Sequence, residues 1–190
     1  MKAVILHGSI GHPFENWFPW LGKKLTEEFG WQVRAPQLPT PEGQNRTNWL
    51  KHLERQAGDF IDEQTVIIGH SCGMLLMLNY LQEISFSVAG SISVSAPFGE
   101  VVVEEFKALD RTFYEVGFDW DKIKHNAGKV GIFHGDDDPY VPLTNSQNLA
   151  EKLGGKVEVI AKGGHLNSKA GFDEFPALYS FIEKNWPKEP

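Results

Sequence analysis

Six short, mostly apolar runs recur along this chain, at Ala3–Leu6, Trp31–Ala35, Thr65–Ile68, Val88–Val94, Lys129–Phe133 and Lys156–Ile160. A strand with one wet face alternates apolar and polar residues. The best-defined of these runs are continuous instead, which implies burial on both faces by helices. The segments between them carry helical spacing. In Asn16–Phe29 the residues Trp17, Trp20, Leu21, Leu25 and Phe29 share one stripe, and Gly30 follows as a stop signal. Arg46–Ile61 turns Trp49, Leu50, Leu53, Ala57, Phe60 and Ile61 inward, and further helices are expected at Cys72–Leu81, Leu143–Leu153 and Asp173–Asn185. Strand–helix alternation of this kind predicts an α/β fold, a doubly wound parallel sheet of about six strands with helices on both faces. A chain of 190 residues fits a single domain spanning 1–190. One irregular stretch, Pro97–Asn126, reads either as ordinary cover for the core or as a small cap over a pocket. Its aromatics Phe98, Phe106, Phe113, Tyr114, Phe118 and Trp120 would then supply pocket wall. Its charges Glu100, Glu104, Glu105, Lys107, Asp110 and Arg111 are expected on its solvated face.

Composition narrows the function classes. Hydrophobic residues at 41% and charged residues at 23% describe an ordinary soluble globular protein. A net charge of -7 argues against a nucleic-acid partner, which needs a basic footprint. Cys72 is the only cysteine, which leaves neither an intramolecular disulfide nor a cysteine-based zinc site. No apolar run is long enough to span a membrane. The opening residues Met1–Leu6 are too short a run for a signal peptide and read as a first strand, so the cytoplasm is the expected compartment. Gly8-Ser9-Ile10-Gly11 lacks the spacing of a dinucleotide loop. Asp136-Asp137-Asp138 lacks that of a calcium loop, and no two histidines stand four apart. No cofactor and no metal are expected.

Between the third run and the helix after it stands Gly69-His70-Ser71-Cys72-Gly73. Gly-x-Ser-x-Gly in a strand-to-helix context is a nucleophile elbow, where a sharp turn strains the serine backbone and exposes its hydroxyl. Side chains at 69 and 73 would strike the neighbouring helix and strand. The alternative is a plain α/β turn with Ser71 as a helix cap. Serine needs a base, and the base needs an orienting group, both from loops at the carboxyl ends of later strands. The fifth run leads into His134-Gly135-Asp136-Asp137-Asp138-Pro139, and the sixth into Lys162-Gly163-Gly164-His165. Of seven histidines only His165 follows a strand on a flexible loop late in the chain. His7 and His134 read as hydrogen-bonded structural residues, and His70 as locked in the elbow. Serine, then an aspartate, then histidine is the chain order of α/β-hydrolases.

His7-Gly8-Ser9, the elbow, Gly135-Asp136-Asp137-Asp138-Pro139-Tyr140-Val141-Pro142 and Gly163-Gly164-His165 together resemble the small α/β-hydrolases of the YdeN-like group. This is the serine hydrolase family of retinoblastoma-binding protein nine. Trp17-Phe18-Pro19-Trp20-Leu21, Ala35-Pro36-Gln37-Leu38-Pro39 and Gly171-Phe172 extend the resemblance over nearly the whole length. It implies a trimmed α/β-hydrolase without the first antiparallel strands. It also implies that Asp138, the aspartate just before x-x-Val-Pro, is the triad acid. Cys72 and Met74 depart from the family pattern, which more usually has serine or leucine at the first and a small residue at the second. The reading is a serine hydrolase acting on small ester or amide substrates through Ser71, His165 and Asp138, with an acyl-enzyme. Backbone N–H groups of Ser9 and Cys72 would form the oxyanion hole. The other reading is a catalytically weak hydrolase-fold protein acting mainly by binding a protein partner.

Overall fold

Each of the six apolar runs forms a strand in the computed structural model, which describes residues 1–99 and 101–188. The order is β1 (Lys2–Leu6), α1 (Phe18–Phe29), β2 (Gln32–Arg34), α2 (Arg46–Leu53), β3 (Thr65–His70), α3 (Cys72–Leu81) and β4 (Gly90–Val94). It continues with α4 (Glu104–Asp110), α5 (Trp120–Asn126), β5 (Lys129–Gly135), α6 (Leu143–Leu153), β6 (Val157–Ile160) and α7 (Pro176–Asn185). All pairings are parallel and the sheet runs β2-β1-β3-β4-β5-β6. From β1 the chain steps outward to β2, then returns past β1 to β3. The loops leaving β1 and β3 therefore part in opposite directions and leave a crevice at the carboxyl edge, where open α/β sheets bind ligands.

Two cores account for the uninterrupted apolar strands. Ala3, Ile5, Val66, Ile68, Ile92, Val94 and Phe133 face α1 and α7. Val4, Leu6, Ile67 and Ile132 face the side that carries α2, α3, α5 and α6. Helix α3 lies over the sheet centre and is buried all round, which explains its unbroken apolar sequence. Trp17 and Trp49 are fully buried, and each indole N–H finds a carbonyl, Leu166 at 2.9 Å and Pro39 at 2.7 Å. Those bonds remove the cost of burying the indole donor.

Three expectations need correction. The helix expected over Arg46–Ile61 ends at Leu53 and widens into a π turn at Glu54–Gly58. There Gln56 ties to both backbone groups of Gln37, and its carbonyl accepts from Arg34. In the 97–126 segment, Phe98, Phe118 and Trp120 pack together with ring centroids 5.2 to 5.7 Å apart and lie against the α3-side core. Tyr114 donates its hydroxyl to the Pro97 carbonyl. These aromatics cover the core, and of the six only Phe106 reaches the cavity described below. Among the charges, Glu104, Glu105, Lys107 and Arg111 are exposed as expected, while Glu100 lies outside the described residues. Asp110 is the exception, only 2% exposed. It ends α4 where the chain tightens into the turn Arg111–Phe113, and it faces inward.

Candidate active site

Ser71 joins β3 to α3 at φ 52°, ψ -129°, a conformation that side-chain-bearing residues rarely adopt and that costs roughly 1–3 kcal/mol. The surroundings over-determine it. Ser71 N–H donates to the Val94 carbonyl, and Met74 N–H donates to the Ser71 carbonyl, both at 2.9 Å. A Cβ on Gly69 would stand 2.6 Å from the Met74 backbone nitrogen, and one on Gly73 would stand 2.3 Å from the Leu6 carbonyl oxygen. Both glycines let α3 start against the sheet, so the turn can be this sharp.

His165 follows β6 on a loop pinned from several sides. Asp136 accepts from Lys162 N–H and Asp137 from Gly164 N–H, each at 2.7 Å. The His165 carbonyl accepts from His70 Nε2 at 2.9 Å, and the next carbonyl, Leu166, accepts from Trp17. The imidazole Nδ1 lies 2.8 Å from Asp138 Oδ2. Because an ionised carboxylate only accepts, Nδ1 carries the proton and Nε2 is left as a base. Asp138 Oδ1 accepts in turn from Tyr140 and Val141 N–H at 2.9 and 3.1 Å. Burial pushes the Asp138 carboxyl up, but the His165 hydrogen bond and charge and the two backbone donors outweigh it. The group is held below the ordinary carboxylate range.

His134 also approaches Asp138, at 3.6 Å, but its ring is committed elsewhere. Its Nε2 donates to the Val141 carbonyl and its Nδ1 accepts from the Ser146 hydroxyl, and burial pushes its pKa down. His7 is likewise neutral by its partners, accepting from Leu38 N–H and donating to the Gly8 carbonyl.

Ser71 and His165 line one cavity of about 120 Å³, together with Ser9, Phe106, Asp110 and Tyr140; Glu15 lies on its wall as well. Among the described residues no direct hydrogen bond joins Ser71 to His165, a contact that commonly tightens only when substrate binds. The backbone N–H groups of Ser9 and Cys72 have no acceptor among the described residues. The Cys72 thiol is fully buried, 3.7 Å from Gln44 Nε2, and burial with the Asp110 charge pushes its pKa well up. A thiol held protonated in this way is a poor nucleophile. Among the described residues no cluster of three or more histidine, cysteine or acidic side chains could hold a metal. No helix there is long and apolar enough to cross a membrane.

The sequence reading missed Asp110, Gln44 and Glu15 as site residues. Asp110 Oδ1 accepts from the Ser9 hydroxyl at 2.8 Å and from Gln44 at 3.1 Å. Burial pushes its carboxyl up, and the bonds from Cys72, Ser9 and Gln44 offset this only in part. Flanked by Lys107 and Arg111, it carries no local mark of burial.

The serine hydrolase family profile matches residues 3–184 of the chain. The chain is 30% identical to serine hydrolase RBBP9 of Rattus norvegicus over 169 residues, 88% of each chain. It is 27% identical over 189 residues to the hydrolase YdeN of Bacillus subtilis, and the crystal structure of that gene product superposes with a TM-score of 0.89 over 98% of this chain and 99% of the other. A meta-cleavage product hydrolase of Pseudomonas fluorescens, 15% identical with a TM-score of 0.70, covering 98% of this chain and 90% of its own, shares the α/β-hydrolase fold. Matched almost from end to end, the chain belongs to the serine hydrolase family.

Proposed function

We propose that this hydrolase cleaves small acyl esters through Ser71, His165 and Asp138, by way of an acyl-enzyme. His165 Nε2 takes the Ser71 proton as Oγ attacks the acyl carbon. Asp138 keeps the imidazole in the tautomer that permits this and stabilises the imidazolium that forms. The carbonyl oxygen, now an oxyanion, accepts from the N–H groups of Ser9 and Cys72. Such donors are each worth about 3 kcal/mol in the transition state. His165 then returns the proton to the leaving alcohol as the carbon–oxygen bond breaks. A water molecule, deprotonated by the same nitrogen, hydrolyses the acyl-enzyme and restores the Ser71 hydroxyl.

The observation that carries this reading is the His165–Asp138 hydrogen bond at 2.8 Å, beside a serine in a strained elbow on the same cavity. Residues 97–126 act as a small cap, since Pro97, Val101, Phe106 and Asp110 contribute to the cavity wall. The reading keeps the enzyme in the cytoplasm, with no cofactor. Ser71→Ala tests it. The variant should keep the fold but lose fluorophosphonate labelling and at least a thousandfold of its p-nitrophenyl acetate turnover. Activity within tenfold of the parent would overturn the triad, and an inert parent with a sound fold would favour a protein-binding role.

A further inference from the structure

The backbone around the first oxyanion donor is an unfavourable one. Ser9 leaves β1 on a loop whose next residue, Ile10, sits at φ 55° and is 49% exposed. A β-branched side chain is poorly suited to the left-handed region, and an exposed one gains little packing there. Such a conformation persists only where neighbours hold it. The neighbours here are polar and come from the loop before α2 and from the end of α4. Ile10 N–H donates to Thr40 Oγ1 at 2.7 Å, and the Thr40 hydroxyl donates to Gln44 Oε1 at 2.6 Å. Gln44 Nε2 donates to Ser9 Oγ at 2.7 Å and to Asp110 Oδ1 at 3.1 Å, and the Ser9 hydroxyl donates to Asp110 Oδ1 at 2.8 Å.

The direction of every bond in this chain follows from its end. A carboxylate only accepts, so the Ser9 hydroxyl must spend its proton on Asp110 and receive one from elsewhere. That requires the Gln44 amide nitrogen to face Ser9, which turns the Gln44 carbonyl toward Thr40. Thr40 must then donate to Gln44 and keeps its lone pair for Ile10 N–H. Five residues, from two loops and the end of α4, far apart in sequence, thus share one consistent set of protons. The set fastens the loop at two points immediately after the Ser9 N–H, the Ser9 side chain and the Ile10 backbone.

We infer that Asp110, Gln44 and Thr40 are positioning residues that hold the Ser9 N–H in place as an oxyanion donor, so that the 97–126 segment governs turnover through this loop. The inference rests on the esterase reading above. None of the three need touch the reacting atoms. Their effect should fall on the transition state, where the oxyanion exists, and leave ground-state binding nearly untouched.

Thr40→Val is the cleanest probe, because it keeps the shape, removes both bonds, and lies off the cavity wall. Gln44→Met and the pair Asp110→Ala and Asp110→Asn complete the series. Removing an oxyanion donor outright costs a hundredfold to a thousandfold, so loosening one should cost on the order of tenfold in kcat for Thr40→Val and Gln44→Met. KM for p-nitrophenyl acetate should stay within threefold. Asp110→Asn, which still offers an acceptor oxygen, should recover most of what Asp110→Ala loses. The Ki of an alkyl boronic acid, a tetrahedral adduct that needs the same donors, should weaken in proportion to the loss of kcat/KM across the series. Thr40→Val and Gln44→Met both within twofold of the parent in kcat would overturn the inference. So would a fall in kcat without a matching loss of boronate affinity. Failure of the underlying reading looks different: Ser71→Ala would remain active, and the parent itself would not bind the boronate.

Discussion

His70, the residue before the candidate nucleophile, donates from Nε2 to the backbone carbonyl of His165, the candidate base, at 2.9 Å. The two rings meet edge to face with centroids 5.0 Å apart. The elbow and the base loop are therefore fastened to each other and not merely to the sheet. His70→Ala should leave the His165 loop free to drift and lower kcat on the order of tenfold, since small misplacements of reacting groups are costly. His70→Gln, which retains a donor, should lose less. Equal activity in the alanine variant and the parent would show that the remaining ties of the loop suffice.

The three consecutive aspartates divide their work. Asp138 orients the imidazole, whereas Asp136 and Asp137 hold the N–H groups of Lys162 and Gly164 on the neighbouring loop. Asp138→Asn should cost about 10⁴ in turnover by favouring the wrong tautomer. Asp137→Asn keeps an acceptor at the same place and should cost less than tenfold. Steady-state kinetics on both variants check this, and the reverse order would move the acid to Asp137.

Acid should destabilise this fold well above the usual carboxylate range. Burial pushes His70 down to about 3, and pushes His7 and His134 down as well. In the unfolded chain these imidazoles titrate near 6.5, so below that pH the unfolded state binds more protons than the folded one. Stability then falls with pH, by up to about 1.4 kcal/mol per pH unit for each histidine still neutral in the fold. Asp138, held below the ordinary range, adds a loss of the same sign at lower pH. Asp110, pushed up by burial, acts in the opposite sense, but it is one group against several. Urea unfolding midpoints from pH 7 to pH 4 should drop steadily, with a shallower slope in His70→Gln. A flat profile would contradict the neutral assignments.

The cavity should favour short, uncharged acyl groups. At about 120 Å³ it leaves little wall for a long chain to bury against. Among the described residues two carboxylates, Asp110 and Glu15, line it, and no lysine or arginine does. In a p-nitrophenyl ester series, acetate and butyrate should show higher kcat/KM than laurate. An ester whose acyl group ends in a carboxylate should fall at least tenfold below its neutral counterpart of equal length, because like charges at low dielectric repel by more than 1 kcal/mol. A steady rise in kcat/KM through twelve carbons would mean a deep tunnel, and this picture of the pocket would be wrong.

Local order alone carried the sheet, the α3 boundaries and the elbow. A buried parallel strand is a continuous apolar run, and a helix repeats its apolar face every three to four residues, so both are written in neighbouring positions. The elbow was legible because its five residues are consecutive between an apolar run and a helix. Gly69 is needed by the Met74 backbone of that helix, although Gly73 is needed by the Leu6 carbonyl of β1. His165 and the aspartates stood out by their place just after strands. What no stretch of sequence could announce is the burial of Asp110. Its partners Ser9, Gln44 and Cys72 lie on other loops and another helix, and it sits beside exposed Arg111 in an otherwise charged segment. Nor could the pattern tell that most of the aromatics of 97–126 cover the core and not the pocket. Which face of a short helix turns inward depends on the loops it meets, and those contacts exist only once the chain has closed over itself.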